Sequence, residues 1–334
     1  MKFVRPIICV FLVLCICFTL LYGNKKINND YLEKTPEYKC LINLWQVDTF
    51  EGGTGSRKQF LLKVCREFER QYQGVLIAVS SFTIEGVKQA LKKGNNPDMI
   101  SYGLGVDLFQ VNVLKEKANY IGGIINGKTY AQAWCRGGYC LVKNAESDID
   151  LNANQFDDII VSKSEFTQPL LALALEGVTV NNFTIKKPLD AYVDFINQKQ
   201  KVFLCTQRDL VRLSNRGVSI EVRPMTRYND IIQYVSLTTS DNLKSVYSEK
   251  FIEYLLSTKV QTQLQQINML SVSQNLNWQN QGYLKLQGVK TTEFCTLPIT
   301  TSSDILRQID AESQRAVIGE KTLVDKIKNL LVQS

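Results

Sequence analysis

Between Cys40 and Gly103 short apolar runs alternate with amphipathic ones, and this alternation narrows the fold class more than any other feature of the chain. "CLINLWQV" (Cys40–Val47) carries the β-branched and aromatic residues of a strand. Phe60, Leu61, Val64, Cys65 and Phe68 then recur at the spacing of one helix face, which Gly74 ends. "VLIAVSSF" (Val75–Phe82) is a second strand. "IEGVKQALKKG" is a second amphipathic helix with Gly94 as its C-cap, and "PDMISYG" (Pro97–Gly103) is a third strand. Strands alternating with helices pair in parallel, because each helix carries the chain back to the start of the next strand. The segment is therefore α/β with a mostly parallel sheet.

Further on the pattern loosens. "YAQAWCRGGYCLVKN" (Tyr130–Asn144) reads as a strand with Gly137 and Gly138 in its middle, where paired glycines mark a bend or a close backbone approach. "FTQPLLALALEG" and "PLDAYVDFINQKQ" read as helices, and "KVFLC" (Lys201–Cys205) as a buried strand. Residues 241–270 carry two helical stretches, and the segment from Ser302 to Gln333 reads as strongly helical. No internal repeat is visible. With 334 residues, 45% of them apolar, the chain can bury the cores of two domains.

The chain contains no histidine, which removes Ser-His-Asp and Cys-His catalysis and His-containing zinc sites. Its nine cysteines form no CxxC pair and no metal-ligand spacing, so no metal or cofactor is expected. Most sit among apolar neighbours as small buried hydrophobes. Cys135 and Cys140 face opposite ways on one extended strand, so a disulfide between them needs a bend. The formal net charge of +7 is spread out, with no basic block interleaved with aromatics, and no nucleic-acid partner is expected.

At the N-terminus, Lys2 and Arg5 precede an apolar run from Ile7 to Tyr22. A short positive leader before such a run is an export signal, either removed or kept as an anchor. It is slightly short for a relaxed span of about 20 residues. Residues 1–23 are thus a signal peptide or signal anchor, and the polar residues 24–39 a tether.

The order of these segments, with "REFERQYQGVLIAV", then "GVKQALKKGNNPDMISYG", and much later "KFIEYLLSTKVQTQLQQINMLSV", resembles the bacterial extracellular solute-binding proteins of the sugar-binding type. The late phrase supplies Phe251, Tyr254, Leu255, Ser257 and Gln261. The resemblance runs from about Cys40 onward. It departs from the family in lacking a lipobox and in having "TQRDLVRLSNR" where sugar binders often have an apolar turn. It implies a two-lobed, periplasmic-binding-protein-like (type II) fold with a ligand cleft between the lobes. One lobe would be residues 40–134 plus 231–272, and the other residues 135–230 plus 273–334. Gly137 and Gly138 would lie just past a hinge. The implied partners are a small solute, a saccharide above all, and an ABC permease in the membrane. The protein would be a monomer.

Four groups of residues are candidates for ligand contact. The first is the loop after the first strand, where Asp48, Gly53, Thr54, Ser56 and Arg57 stand at a strand's carboxyl end and open a helix. "GGTGSRK" is neither a Walker motif nor GxGxxG, so a solute or an anionic group suits it better than a nucleotide. The alternative is a capped helix start with Thr54 or Ser56 as N-cap. The second group is Thr206, Gln207 and Arg208, which follow "KVFLC" and would face the first loop; Arg208 can bond a carboxylate, a phosphate or a hydroxyl pair. Asp209 can orient Arg208 or Arg212 or cap the helix, while Arg212 and Arg216 read as a solvated face. Third is Tyr102, whose ring can stack on a sugar or pack in the core; the resemblance places its neighbourhood near the ligand. Fourth are Trp134 and Arg136 beside the proposed hinge, with Tyr228 near the second crossing.

The sequence thus points to a binding protein without catalytic residues, exported to the outer face of the cell membrane. Two alternatives remain open on the sequence. One is a membrane-tethered sensor or envelope protein that kept the fold, and the other an exported glycan-active enzyme using carboxylates such as Asp48, Glu51 or Asp98.

Overall fold

The computed structural model describes residues 11–19, 37–107, 111–290 and 294–333. Residues 11–19 form a short exposed helix, α1. Among the described residues no helix is long and apolar enough to cross a membrane. The rest of the expected export segment, and most of the expected tether, lie outside the described residues.

Strand β1 (Cys40–Val47) is buried along most of its length, as a strand covered on both faces must be. It pairs in parallel with β2 (Val75–Phe82) on one side and β3 (Met99–Tyr102) on the other. The two connections are α2 (Arg57–Gln71) and α3 (Ile84–Lys92). Helix α2 buries Phe60, Leu61, Val64, Cys65 and Phe68, the face that the sequence period marks out. A small hairpin of β4 (Ile124–Ile125) and β5 (Lys128–Thr129) then leads into β6 (Gln132–Arg136).

At Gly137 and Gly138 the chain leaves this sheet and begins a second one with β7 (Tyr139–Asn144). The expected strand over 130–144 is thus two strands in two sheets. Next come β8 (Gln155–Ser162), α4 (Pro169–Leu175), β9 (Thr179–Lys186), α5 (Pro188–Ile196), β10 (Val202–Thr206), α6 (Gln207–Asn215) and β11 (Ile220–Pro224). Residues 225–231 return the chain to the first sheet as β12 (Ile232–Leu237).

The first sheet is ordered β2-β1-β3-β12-β6, and the second, read from its opposite edge, β9-β8-β10-β7-β11. In each, the fourth strand alone runs against the others: β12 is antiparallel to β3 and β6, and β7 to β10 and β11. That reversed strand is the one a crossing enters from the other sheet: β7 follows β6, and β12 follows β11. The same plan therefore occurs twice in a chain without a visible sequence repeat.

Helices α7 (Asn242–Leu255) and α8 (Thr258–Gln261) follow β12, and α7 packs on β1 and α2. Gln261, from the phrase that carried the resemblance, is fully buried. Its amide donates to the carbonyls of Trp134 (2.9 Å) and Leu255 (3.0 Å), tying the helix end to β6 beside the crossing. A third passage follows, in which Leu270 bridges Arg136, before α9 (Gln281–Gly288) packs on β11 and α6.

The C-terminal segment is not one helix. It forms α10 (Ser303–Val317), which packs on α4, then α11 (Asp325–Leu330) and a final strand β14 (Val332–Gln333) paired with β13 (Cys295–Thr296). The break falls at Gly319, in the left-handed region at φ +75°, where a helix ends readily. The Ile299 N–H donates to the Gly122 carbonyl at 3.0 Å, so this segment touches the first half of the molecule as well as the second.

Candidate functional site

The carboxyl ends of β1 and β10 each open into a loop and a helix, and these two structures face one another. Helix α6 begins with a capping box in which Thr206 and Asp209 satisfy each other's backbone N–H groups. Asp209 is fully buried, and burial pushes its carboxyl up to about 6 against the opposing pull of Arg212. It accepts a bond from Arg212 Nη1 at 2.8 Å. The same guanidinium reaches across to the first loop and holds both oxygens of Glu51, with Nη1 2.8 Å from Oε2 and Nη2 on Oε1. This fork joins the two halves of the molecule.

The first loop is built around Arg57, which is only 4% exposed. Its Nε donates to Asp48 Oδ1 (2.9 Å), Nη1 to Gln233 Oε1 (2.9 Å) and Nη2 to the Phe50 carbonyl (2.5 Å). The guanidinium also lies 4.2 Å over the Phe50 ring. Arg57 therefore shapes the loop from beneath. Asp48 keeps a half-exposed carboxylate at the rim and also accepts from Gln46 Nε2 at 3.0 Å. Ser56 is the N-cap of α2. The Thr54 N–H donates to the Ile267 carbonyl at 3.0 Å, and its hydroxyl accepts from Asn268 Nδ2 at 2.6 Å. Gly53 lies flat on the same segment: a Cβ there would come within 1.6 Å of the Ile267 carbonyl oxygen. Close approach of another backbone, rather than a ligand, explains that glycine.

Arg208 is half-buried, and its Nε is enclosed without a hydrogen-bond partner. A donor left unpaired inside a protein is costly, so this atom marks a place where an acceptor would be stabilised. Beside it, the Tyr283 hydroxyl donates to the carbonyls of Gln207 (2.8 Å) and Asn268 (3.1 Å). Thr49, at the root of the first loop, also keeps a buried hydroxyl without a partner.

The structure brings Asp48, Gly53, Thr54, Ser56 and Arg57 together on one wall and Thr206, Gln207 and Arg208 on the facing helix start. The four remaining candidates, and Gln207 with them, are packed in the interior. Tyr102 is fully buried and shares a hydrogen bond with Ser236 Oγ at 2.8 Å. Trp134 is fully buried, stacks on Phe60 and donates from Nε1 to Ser101 Oγ at 2.9 Å. Arg136 spends its donors on the carbonyls of Ser271 (3.3 Å), Val289 (3.3 Å) and Leu286 (3.5 Å), and burial lowers its pKa. Gln207 accepts from the Gly138 N–H at 3.1 Å, and Tyr228 donates to Asp230 at 3.1 Å. A solute reaches these five only after the groups that cover them move.

Sequence reasoning treated Arg212 as a solvated face and Glu51 only as a possible catalytic acid. It missed Gln233, whose Nε2 donates to Ser101 Oγ (3.0 Å) and whose Oε1 receives Arg57, thereby linking the loop to Trp134. The signal for Arg212 was Asp209, an acid three residues before it at a helix start, which on the sequence can orient Arg212 or cap the helix; in the structure it does both.

No protein-family model matches the chain, and no curated protein matches it by sequence. Solved structures do match. The sugar-binding protein MalE from Xanthomonas citri superposes with a TM-score of 0.59 at 13% identity, covering 87% of this chain and 95% of its own. The galacto-N-biose/lacto-N-biose I-binding protein of an ABC transporter from Bifidobacterium longum, solved with lacto-N-biose, gives 0.57 at 10% identity, with 87% and 95% covered. A structure described as a two-component system protein mediating signal transduction gives 0.53 at 12% identity, covering 81% of this chain and 100% of its own.

The fold is that of the two-lobed solute-binding proteins. In open α/β sheets ligands sit beyond the carboxyl ends of the strands. In this solute-binding fold the β1 and β10 ends meet across the gap between the sheets, where Asp48, Glu51, Arg208 and Arg212 stand. A separate surface hollow of about 520 Å3, lined by residues such as Glu146, Asp148, Gln200 and Lys201, lies at the opposite end of the second sheet, away from these strand ends.

Proposed function

We propose that this protein captures a polar solute, a carbohydrate or a related compound, between its two halves and delivers it to an ABC importer from the outer face of the cell membrane. The observation that carries this reading is the facing pair of strand-end loops, joined by Glu51 and Arg212, on a fold shared with sugar-binding proteins. Binding needs no turnover: the solute stabilises the closed arrangement, and the importer recognises that form. The lobes would be residues 40–134 with 231–272, and residues 135–230 with 273–334, working as a monomer. The enclosed, unpartnered Arg208 Nε favours a solute with a hydrogen-bond acceptor at that point.

A thermal-shift screen of the purified protein against neutral and acidic mono- and disaccharides tests the reading. A ligand at 100 times its dissociation constant adds roughly 2.7 kcal/mol of stability. Arg208→Ala should abolish the shift and leave the unliganded melting point close to wild type. A broad panel without any shift removes the sugar-receptor reading. Binding without co-purification of a permease favours a second reading, a membrane-tethered sensor, which the signal-transduction neighbour also supports.

A further inference from the structure

Cys140 and Cys205 face each other across β7 and β10. They are directly opposed in the antiparallel register, fully buried, and their sulfurs are 3.6 Å apart. Directly opposed residues of an antiparallel pair have Cα atoms about 4.5–5.5 Å apart and side chains on the same face. That separation lies inside the range of about 4.4–6.8 Å that disulfides span. To bond, the sulfurs must close from 3.6 Å to about 2.05 Å. Cys40, Cys65, Cys135 and Cys295 are also buried and free, and none of them has a second thiol as a hydrogen-bond partner among the described residues. Opposition of this kind does not follow from the need to fill a core.

We propose that Cys140 and Cys205 are a disulfide-forming pair that clamps β7 to β10 at the root of the first crossing. The bond forms by exchange with a small-molecule or protein disulfide. One cysteine thiolate attacks the donor disulfide, releasing one donor thiol and leaving a mixed disulfide. The second cysteine sulfur then displaces the remaining donor thiol. The two protein thiols lose two electrons and two protons, and the donor disulfide becomes two thiols.

The place matters. Cys140 is two residues past Gly138, whose N–H is held by the Gln207 side chain, and Cys205 directly precedes Thr206, the N-cap of α6. The clamp would therefore fix the strand pair that carries both the crossing and the second wall of the cleft. Burial and the neighbouring Cys140 thiol push the Cys205 pKa well above its ordinary value, so thiolate is scarce in the folded protein. Exchange should be slow in the native state and should occur while β10 is still docking on β7.

The inference stands independently of any ligand. The full chain, reduced and unfolded, is refolded in a mixture of reduced and oxidised glutathione, then alkylated and mapped by peptide mass spectrometry. The expected product is a single link between the Cys140 and Cys205 peptides, with two fewer alkylated thiols than the reduced control. The same linked protein should melt higher than the reduced one, and the difference should vanish in Cys140→Ser and in Cys205→Ala. Refolded protein with both thiols free, or with either sulfur linked to another cysteine, overturns the proposal. The mapping on wild-type chain decides even if a variant fails to fold.

Discussion

Asp230 stands where β11 gives way to β12, and its carboxylate accepts from the Tyr139 hydroxyl (2.5 Å), the Tyr228 hydroxyl (3.1 Å) and the Gln168 N–H (2.8 Å). Burial nevertheless pushes it up to about 6, with those hydrogen bonds opposing. The folded state thus holds this proton more tightly than the unfolded chain, where an aspartate titrates near 3.9. Stability from this residue is then highest below about pH 4 and falls as pH rises to about 6, by up to about 3 kcal/mol. Urea unfolding of Asp230→Asn against wild type checks this: the variant should gain on wild type between pH 4 and pH 7, whereas a constant difference would contradict it. Gly53 is the second residue whose role is local. Gly53→Ala should cost about 3 kcal/mol of unfolding free energy, since a methyl group there would meet the backbone oxygens of Ile267 and Asn268 at 1.6 and 2.6 Å. From the sequence, this glycine is a candidate for ligand contact. Its reason lies in a segment more than two hundred residues away along the chain, and no local pattern carries that information.

At the scale of elements, the informative pair is the β1–α2 loop and helix α6. Both strand ends were legible, because apolar runs followed by polar, helix-starting residues have a clear signature. Their meeting was not. Arg208, Arg212 and Arg216 recur along one helix side, and periodicity alone does not tell which of them reaches another element. The structure gives that contact to Arg212, with Glu51 and Asp209. The Arg212 and Glu51 side chains are 14% and 32% exposed, so water screens the pair only in part. A double-mutant cycle with Glu51→Gln and Arg212→Gln should show a coupling of about 1 kcal/mol that shrinks in high salt. A coupling near zero would mean that the fork is incidental to stability. The C-terminal segment teaches the opposite lesson: its residues favour a helix throughout, yet Gly319 and the pairing of β14 with β13 divide it.

For the whole molecule, the α/β class and the alternation of the first three strands were readable, while the reversed strands were not: β7 read as the continuation of β6, and β12 was not read as a strand at all. Each reversed strand follows a crossing from the other half, so its neighbours in the sheet are not its neighbours in sequence. Closure is a property at this scale too. If Glu51 and Arg212 help to hold the halves together, Arg212→Ala should enlarge the unliganded radius of gyration in small-angle scattering, and any solute that raises the melting point in the screen proposed above should bring it back. An unchanged radius in the variant would assign the holding to other contacts, such as those of Asp107 with the backbone N–H and hydroxyl of Ser303.

The exchange of strands between the sheets also sets how the chain can be divided. β6 finds its sheet partner only in β12, which is made nearly a hundred residues later, after the whole second sheet. A fragment stopped at Asn229 would contain β1, β2 and β3 with one edge of β3 bare and β6 unattached. Bare edges of that kind recruit other chains. Expression of this fragment alone should therefore yield aggregates, and soluble material should return when residues 230–272 are supplied on a separate chain.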